Sequence, residues 1–343
     1  MSPFASFDGF AQRFGALADN VERVIRGKPD VVRTALVCLL AEGHLLIEDV
    51  PGVGKTMLAR SVAASIGGRL QRIQFTPDLL PSDVVGVSVY HPGGNRFEFH
   101  PGPVFANVLH ADEINRASPK TQSALLEVME ERQVTVDGRA HPVPRPFLVI
   151  ATQNPVDLTG TYPLPEAQLD RFLMRLSVGY PDHQAEVSLL TAGRARPSAD
   201  ALPPVLAAEE VAAMVALAEA VSLAPALADY VVRLTAATRQ APGVRLGASP
   251  RASLALVAAA RVRAAACARG YVVPDDVKAL AGPVLAHRLV LTPEAELRGQ
   301  SAARVVEDTL AAVPVPQARG GPAPVASPVA STVASTLASP AGI

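Results

Sequence analysis

The stretch His44–Arg60 constrains the fold of this chain more than any other part of it. An apolar run, a loop with two glycines and the start of a helical pattern follow one another there, which is the context of a phosphate-binding loop. Gly52 and Gly54 allow the backbone to turn its N–H groups inward around phosphate oxygens, and the helix that follows adds its positive N-terminal end. The stretch therefore predicts an anion-binding loop between a strand and a helix.

Two side chains in this loop predict its chemistry. Lys55 is expected to reach the β- and γ-phosphates of a nucleotide, and the Thr56 hydroxyl is expected to bind Mg²⁺. The chain has four lysines among its 31 basic residues, which argues against a chance surface lysine at this position. The common pattern GxxxxGK[ST] has a glycine where this chain has Asp49, so an ordinary strand-to-helix turn is the alternative interpretation.

Two adjacent acids follow the apolar segment Asn107–Ala111. Ligands of open α/β sheets bind at the carboxyl ends of the strands, where Asp112 and Glu113 are expected to lie. We expect Asp112 to hold the Mg²⁺ shell and Glu113 to polarise the attacking water, because metal coordination lowers the basicity of a carboxylate. A solvated strand end is the alternative, but the order and distance of the pair after Lys55 favour the catalytic interpretation.

A third apolar strand, within Phe147–Pro155, ends in polar residues at the same predicted edge of the sheet. Its Asn154 is expected to orient the attacking water or to contact the γ-phosphate. An asparagine before a proline is also common in turns that have no catalytic role.

Two arginines belong to later helical patterns. The segment Pro165–Phe172 predicts a helix with Arg171 near its end, whereas Ser249 as a cap and Pro250 at the first helical position predict a helix with Arg251 in its first turn. An arginine in a first turn opposes the helix dipole, so we expect an anionic group to compensate it. A surface ion pair is the alternative for each arginine.

The pattern along the chain predicts four parts. Residues 21–180 alternate short apolar runs with helical stretches, which is typical of a parallel sheet with crossover helices. Residues 1–20 form a separate N-terminal segment, and residues 313–343, rich in Pro, Ala, Ser and Val, predict a disordered tail. Residues 181–312 lack a convincing strand and predict a helical domain with a proline-containing loop over Arg194–Pro204. The helices expected in this domain lie within Val211–Val221, Leu227–Gln240, Ser253–Ala268 and Asp275–Val290.

Composition narrows the class of protein further. The formal net charge of −1 provides no global field that would attract nucleic acid or an anionic membrane.

Cys38 and Cys267 lie far apart in alanine-rich helical patterns and predict buried, reduced thiols. The seven histidines have no metal-binding spacing, and His110 is expected to be a packed, hydrogen-bonded side chain. Without a membrane-length apolar run or the order of a secretory signal, we expect a cytoplasmic protein.

The phosphate loop, the acid pair, the strand that ends in Asn154 and the two arginine segments follow one another in the order used by AAA+ ATPases. The chain resembles these ATPases over roughly residues 20–310, and the closer similarity is to the MoxR family. Two alternating segments, Ser88–Phe99 between the phosphate loop and the acids and Gln133–Pro144 after the acids, also predict hairpins, and the first is similar to the helix-2 insert of this AAA+ clade. The stretches that carry the resemblance are LIEDVPGVGKT (46–56), QFTPDLLPSDVVG (74–86), ADEINRASPKTQSALLEVMEERQVTVDG (111–138), ATQNP (151–155) and PLPEAQLDRF (163–172).

The resemblance implies a P-loop AAA+ nucleotide-binding domain with a parallel sheet, followed by an all-α lid domain, and it implies ATP and Mg²⁺ as cofactors. It also implies the roles of particular residues. These are Lys55 and Thr56 as Walker A, Asp112 and Glu113 as Walker B, Asn154 as sensor 1, Arg251 as sensor 2, Arg171 as the arginine finger for a neighbouring subunit, Arg116 as a lesser candidate at the subunit border, and Pro51, Gly52, Val53, Gly54, Lys55, Thr56 and Met57 as the nucleotide-binding loop.

The resemblance further implies a homo-oligomeric ring, usually a hexamer, with hairpins that face a central pore. Such a ring would be an ATP-driven chaperone that remodels or matures a protein client, alongside a partner with a von Willebrand factor A domain. A nucleic-acid motor is the alternative, although neutral charge and the lack of an aromatic stacking stripe weigh against it. A slow nucleotide-gated binding switch would use the same residues and stays open.

Overall fold

The computed structural model describes residues 6–154, 160–181, 183–191 and 198–316. The strands in chain order are β1 (Leu45–Glu48), β2 (Leu70–Gln74), β3 (Gly86–His91), β4 (Arg96–Pro101), β5 (Val108–Asp112), β6 (Gln133–Val136), β7 (Arg139–Pro142), β8 (Leu148–Gln153), β9 (Met174–Leu176), β10 (Val244–Leu246) and β11 (Val290–Leu291).

The helices surround the sheet or follow it. They are α1 (Phe7–Glu22), α2 (Pro29–Leu40), α3 (Lys55–Ser65), α4 (Pro81–Val85), α5 (Pro119–Glu131), α6 (Glu166–Leu169), α7 (His183–Thr191), α8 (Ala208–Glu219), α9 (Pro225–Gln240), α10 (Pro250–Ala266), α11 (Pro274–Leu285), α12 (Pro293–Leu297) and α13 (Ala302–Ala312).

Five strands form one parallel sheet in the order β2-β5-β8-β1-β9. The predicted α/β class is confirmed, and the three apolar runs chosen from the sequence correspond to β1, β5 and β8. These three strands are neighbours, so their carboxyl ends lie side by side at one edge of the sheet.

Each central strand contributes to two separate cores. Along β1, Leu45 and Ile47 pack into a core shared with α1, α2 and α3, whereas Leu46 packs with Phe75 and Phe172 on the other face. Because successive side chains of a strand point to opposite faces, a sheet covered on both sides needs apolar residues at every position. This explains why these strands have continuous apolar runs rather than an alternating pattern.

Both predicted hairpins are present. Strands β3 and β4 pair antiparallel around a short turn at Pro92–Gly94, and β6 pairs with β7 across Asp137 and Gly138. Asp137 and Gly138 both have positive φ, 51° and 73°, as a two-residue hairpin turn of this type requires.

A helical domain in the second part of the chain is confirmed, with two differences from the sequence-based expectation. A small antiparallel pair, β10 with β11, lies within it, and the helix expected to reach Val290 ends at Leu285. The apolar spacing continues past Leu285 because a short 3-10 turn and strand β11 still bury their side chains. The domain shares its core with α1 and α2, so helix packing continues between the two halves of the chain.

Other expectations are corrected or lie outside the description. Cys38 is buried but Cys267, at the end of α10, is exposed. Helix α1 runs across the expected boundary at residue 20, because its apolar face packs against the domain that follows. Residues 194–197 of the loop over Arg194–Pro204 and residues 317–343 of the expected tail lie outside the described residues.

Candidate nucleotide site

A cavity of about 330 Å³ lies at the carboxyl ends of β1, β5 and β8. The strand order brings residues from three distant parts of the chain to this edge, as expected for the ligand position in an open α/β sheet. The residues that line it are Pro51, Gly52, Gly54, Lys55, Thr56, Met57, Asp112, Glu113, Thr152 and Asn154. The loop, the acids and the asparagine singled out in the sequence therefore meet at one place.

The phosphate loop has the backbone that its glycines predicted. Gly52 and Gly54 adopt positive φ of 87° and 96°, and Gly54 immediately precedes the first residue of α3. A β-carbon at either glycine would meet nothing within 4 Å, so their role is conformational rather than steric. The first turn of α3 thus faces the cavity with N–H groups that suit an anion.

Lys55 lies inside the loop rather than on the outer surface of α3. Its ammonium donates hydrogen bonds to the carbonyl oxygens of Asp49 and Val50, at 2.6 and 3.2 Å. Both acceptors belong to the phosphate loop itself, so the positive charge is held at the rim of the cavity.

Asp112 lies at the end of β5 and is held by two donors. The Thr152 hydroxyl donates to its Oδ1 at 2.6 Å, and Arg72 forms an ion pair with its Oδ2 at 2.6 Å. Burial raises the pKa of this carboxyl, but the hydrogen bonds from Thr152 and Arg72 outweigh burial and lower the pKa below its ordinary value. Asp112 is therefore a charged carboxylate at neutral pH.

Glu113 has an unusual backbone, with φ of 55° and ψ of 51°. Its N–H donates to the Thr152 hydroxyl at 2.9 Å, and its Oε2 accepts from Gln74 at 2.7 Å and from Arg116 at 2.9 Å. Strain of this kind persists where surrounding contacts hold it, and Glu113 is one of the residues that line the cavity. Arg116 thus contacts the acid of its own chain in this structure.

The sequence motifs did not identify Thr152, Arg72 or Gln74 as site residues. Thr152 joins β8 to Asp112 at the end of β5 and to Glu113 directly after it, while Arg72 and Gln74 lie on the neighbouring strand β2. The signal for Thr152 was its place in ATQNP, two residues before Asn154. No local pattern distinguishes Arg72 and Gln74, because their role depends on the pairing of β2 with β5.

The two candidate arginines lie together, but they do not line the cavity of the acids. Both form ion pairs with Glu130 of α5, Arg171 at 3.0 Å and Arg251 at 2.5 Å. They line a different cavity, also of about 330 Å³, which includes Asp170 and Arg288. The anionic group expected beside Arg251 is therefore Glu130.

Details of the two arginine segments differ from expectation. Helix α6 ends at Leu169, and Arg171 lies in the turn that follows it. Ser249 occupies the position before α10 and Pro250 begins that helix, but the Ser249 hydroxyl donates to Asp170 at 2.9 Å and does not cap the helix. The serine thus links the helical domain to the segment that carries Arg171.

A smaller cavity of about 220 Å³ adjoins the phosphate loop on its other side, and we call it the base cavity. The phosphate loop and the first turn of α3 contribute Gly52–Gly54 and Met57, while the opposite wall comes from residues 24–28, between α1 and α2, and from the segment after β9. Its lining is Val24, Ile25, Arg26, Lys28, Gly52, Val53, Gly54, Met57, Val178, Gly179 and Pro181. Sequence reasoning did not predict the residues at 24–28 and 178–181, since they belong to no phosphate motif.

His110 is fully buried within β5, but the expected hydrogen bond is not made. Neither ring nitrogen has a hydrogen-bond partner among the described residues, and Nε2 lies 3.9 Å from Oδ1 of Asp112. Burial lowers the pKa of His110 to about 4, so its ring is neutral at pH 7.

The residues of the first cavity fit a magnesium nucleotide. Mg²⁺ prefers oxygen ligands, and Thr56 and Asp112 provide a hydroxyl and a charged carboxylate on the same cavity wall. The positive-φ glycines and Lys55 provide the donors that a triphosphate needs. The adjoining base cavity has apolar walls from Val53, Met57 and Val178 that suit a purine ring.

Comparison with known families agrees with this geometry. Residues 44–174 match the family described as "ATPase family associated with various cellular activities (AAA)", and residues 236–309 match the family described as "AAA lid domain". The fold and the site therefore define an AAA domain followed by a helical lid.

Similar proteins identify the family within this class. YeaC of Bacillus subtilis is 50% identical over 89% of this chain and 95% of its own length, and Chaperone MoxR1 of Mycobacterium tuberculosis is 46% identical over 88% and 82%. A crystal structure of a candidate ATPase from Cytophaga hutchinsonii has a TM-score of 0.84 and 36% identity, and covers 91% of this chain and 97% of its own. The chain belongs to the MoxR family of AAA+ ATPases.

Among the helices of the described residues, none is both long enough and apolar enough to cross a bilayer.

Proposed function

We propose that this protein binds and hydrolyses Mg-ATP at the cavity between β1, β5 and β8. The observation that carries the proposal is the meeting of Lys55, Thr56, Asp112, Glu113 and Asn154 around that one cavity. Thr56 and Asp112 would hold Mg²⁺, which when bound neutralises charge that develops on the phosphates. Lys55 and the loop N–H groups orient the triphosphate.

Glu113 is the general base of the proposed reaction. Asp112 is engaged by Thr152 and Arg72, whereas Glu113 is held at the cavity by the neutral amide of Gln74 together with Arg116. Glu113 takes the proton of the attacking water, and Asn154 orients that water. The two adjacent acids thus divide metal binding and proton transfer between them.

We further propose that Arg171 and Arg251 act on the ATP of a neighbouring subunit. Their shared partner Glu130 and their separation from the cavity lining of their own chain support this role. A ring, of six subunits by family likeness, would bring these arginines to the next nucleotide. Arginine fingers that a second molecule supplies are known to raise the rate of phosphoryl transfer, so an arginine from the next subunit would be effective here.

The work that this hydrolysis drives is the remodelling or maturation of a protein client, including metal or cofactor insertion or complex assembly. Membership of the MoxR family and the printed name of the relative Chaperone MoxR1 support a chaperone role. The family likeness favours a partner with a von Willebrand factor A domain. We place this activity in the cytoplasm, where ATP is supplied.

Two substitutions test the site. Lys55→Ala should abolish nucleotide binding measured by calorimetry, because it removes the charge that faces the β- and γ-phosphates. Glu113→Gln should preserve binding but reduce turnover by about 10²–10⁴-fold, the usual contribution of a positioned base. Lys278→Ala, on exposed α11 surface, is the matched control and should leave both unchanged. Retained ATP affinity in Lys55→Ala, or unchanged turnover in Glu113→Gln, would contradict these roles.

The Glu113→Gln variant also tests the client. Because it should bind ATP without hydrolysing it, a pull-down in the presence of ATP should retain a protein that is released with ADP. Lys55→Ala is the control and should retain none. Recovery of nucleic acid with salt-sensitive binding would contradict the chaperone proposal and favour a nucleic-acid motor.

A further inference from the structure

Asp49 stands where the common phosphate-loop pattern has a glycine, and the structure gives its side chain a defined set of contacts. The carboxyl lies buried directly after β1. Its Oδ2 accepts hydrogen bonds from the Ser177 hydroxyl at 2.9 Å and from the Gly179 N–H at 2.6 Å, and its Oδ1 accepts from the Val50 N–H at 2.9 Å. A glycine at this position could make none of these bonds.

The contacts of Asp49 connect two parts of the nucleotide site. On one side its own carbonyl accepts from Lys55, so its backbone belongs to the phosphate end. On the other side Ser177 and Gly179 follow β9, and Gly179 together with Val178 lines the base cavity. Gly179 has φ of 66°, and a β-carbon there would lie 3.5 Å from the ammonium of Lys28, which lines the same cavity.

The charge state of Asp49 suits this role. Burial raises the pKa of its carboxyl, but hydrogen bonds from Gly179, Ser177 and Val50 outweigh burial and lower the pKa below its ordinary value. As a carboxylate it only accepts hydrogen bonds, and hydrogen bonds to a charged acceptor are stronger than neutral ones.

We propose that Asp49 is a positioning residue that ties the phosphate loop to the turn at 177–179 and so shapes the wall of the base cavity. It does not touch the phosphates; it acts through Gly179 and Val178, and it sets how tightly the base end of the nucleotide is held. This inference depends on the ATP binding proposed above.

The test separates the base end from the phosphate end. Asp49→Gly returns the loop to the common pattern and leaves Gly52, Gly54 and Lys55 in place. We expect its Kd for Mg-ATP to rise about tenfold, because the hydrogen bonds to Ser177 and Gly179 at the base wall are lost. Inhibition of ATP hydrolysis by inorganic tripolyphosphate, which has no base, should stay within about twofold. The Val50 N–H loses its acceptor in this variant, but the two glycines and the Lys55 contact with the carbonyl oxygen of residue 49 remain. Asp49→Asn should lie between, because its single amide oxygen can take the place of Oδ2 and accept from Gly179, whereas its NH₂ group cannot accept from the Val50 N–H.

Glu48→Gln is the matched control. Glu48 precedes Asp49 and forms an ion pair with Arg175 of β9 at 2.7 Å, so it links the same two strands without contacting the turn at 177–179. Its ATP affinity should stay near that of the wild type. If Asp49→Gly does not fold, the Asp49→Asn variant takes its place in the same comparison.

The possible results are distinct. A wild-type protein that does not bind Mg-ATP contradicts the proposed function itself. A wild type that binds, together with Asp49 variants that weaken ATP and tripolyphosphate equally, or weaken ATP no more than Glu48→Gln does, overturns only the role of Asp49. Selective loss of ATP affinity supports it.

Discussion

At the scale of single residues, His44 shows how one buried side chain connects the elements behind the site. The ring lies at the start of β1, where its Nε2 contacts the Met129 carbonyl oxygen at 3.1 Å and its Nδ1 accepts from the Val149 N–H at 3.0 Å. These partners require the neutral ring with its proton on Nε2. Burial lowers the pKa of His44 to about 3.

This gives a pH dependence with a definite sign. An unfolded histidine has a pKa near 6.5 and the folded one near 3, so the unfolded state binds the proton first as pH falls. The stabilisation of the folded state by the neutral His44 ring is complete above about pH 6.5. Below that pH the free energy of unfolding falls by about 1.4 kcal/mol per pH unit until the pH approaches 3. His287, whose pKa burial also lowers well below its ordinary value, adds a loss of the same sign.

Denaturant unfolding between pH 7 and pH 5 measures this effect. His44→Gln keeps a donor and an acceptor but removes the titration, so its free energy of unfolding should fall less steeply with acid than that of the wild type. His183→Gln, at an exposed position, is the control and should follow the wild-type slope. Equal slopes in wild type and His44→Gln would contradict the assignment.

At the scale of elements, α10 and α11 are joined by a nearly buried ion pair. Arg269, after α10, donates to both carboxylate oxygens of Asp276 at 2.7 and 2.6 Å, and the Val273 N–H donates to the same group at 2.9 Å. Asp276 is only 2% exposed, so removing it would leave the Arg269 charge without its partner.

Asp276→Ala should therefore destabilise the protein by about 3 kcal/mol, the lower part of the range for a broken buried ion pair. Urea denaturation gives this value as the loss of unfolding free energy. Asp275→Ala is the matched control, because Asp275 occupies the same first turn of α11 but is exposed, and it should cost less than about 1 kcal/mol. Equal losses of unfolding free energy in Asp276→Ala and Asp275→Ala would show that the ion pair of Arg269 with Asp276 adds little to stability.

At the scale of the whole molecule, two arginines occupy a surface apart from their own nucleotide cavity. Glu130 holds Arg171 from the sheet domain and Arg251 from the lid, so the two domains present these charges together. If both serve a neighbouring subunit, a subunit that lacks either arginine still has a complete phosphate loop and acids.

Mixed assemblies distinguish action on a neighbour from action within one chain. Arg171→Ala should lower turnover by about 10³-fold or more, and mixing it with the inactive Lys55→Ala protein should restore part of the activity. Arg251→Ala mixed with Lys55→Ala should do the same. The control mixture, Glu113→Gln with Lys55→Ala, should stay inactive because both residues line the same cavity of one chain. A lack of restoration at every ratio would place the arginines within their own site.

Local patterns of the sequence determined the strands β1, β5 and β8, the phosphate loop and the helical second domain, because each depends on residues adjacent in the chain and on the apolar burial that their spacing allows. They also determined which residues meet at the first cavity, since parallel strands present their carboxyl ends at one edge. Only the tertiary structure decided that Arg72 and Thr152 hold Asp112, that Arg251 lies beside Arg171, and that Asp49 supports the base cavity. These contacts join segments far apart in the chain, so strand pairing and domain packing create them and no local pattern encodes them.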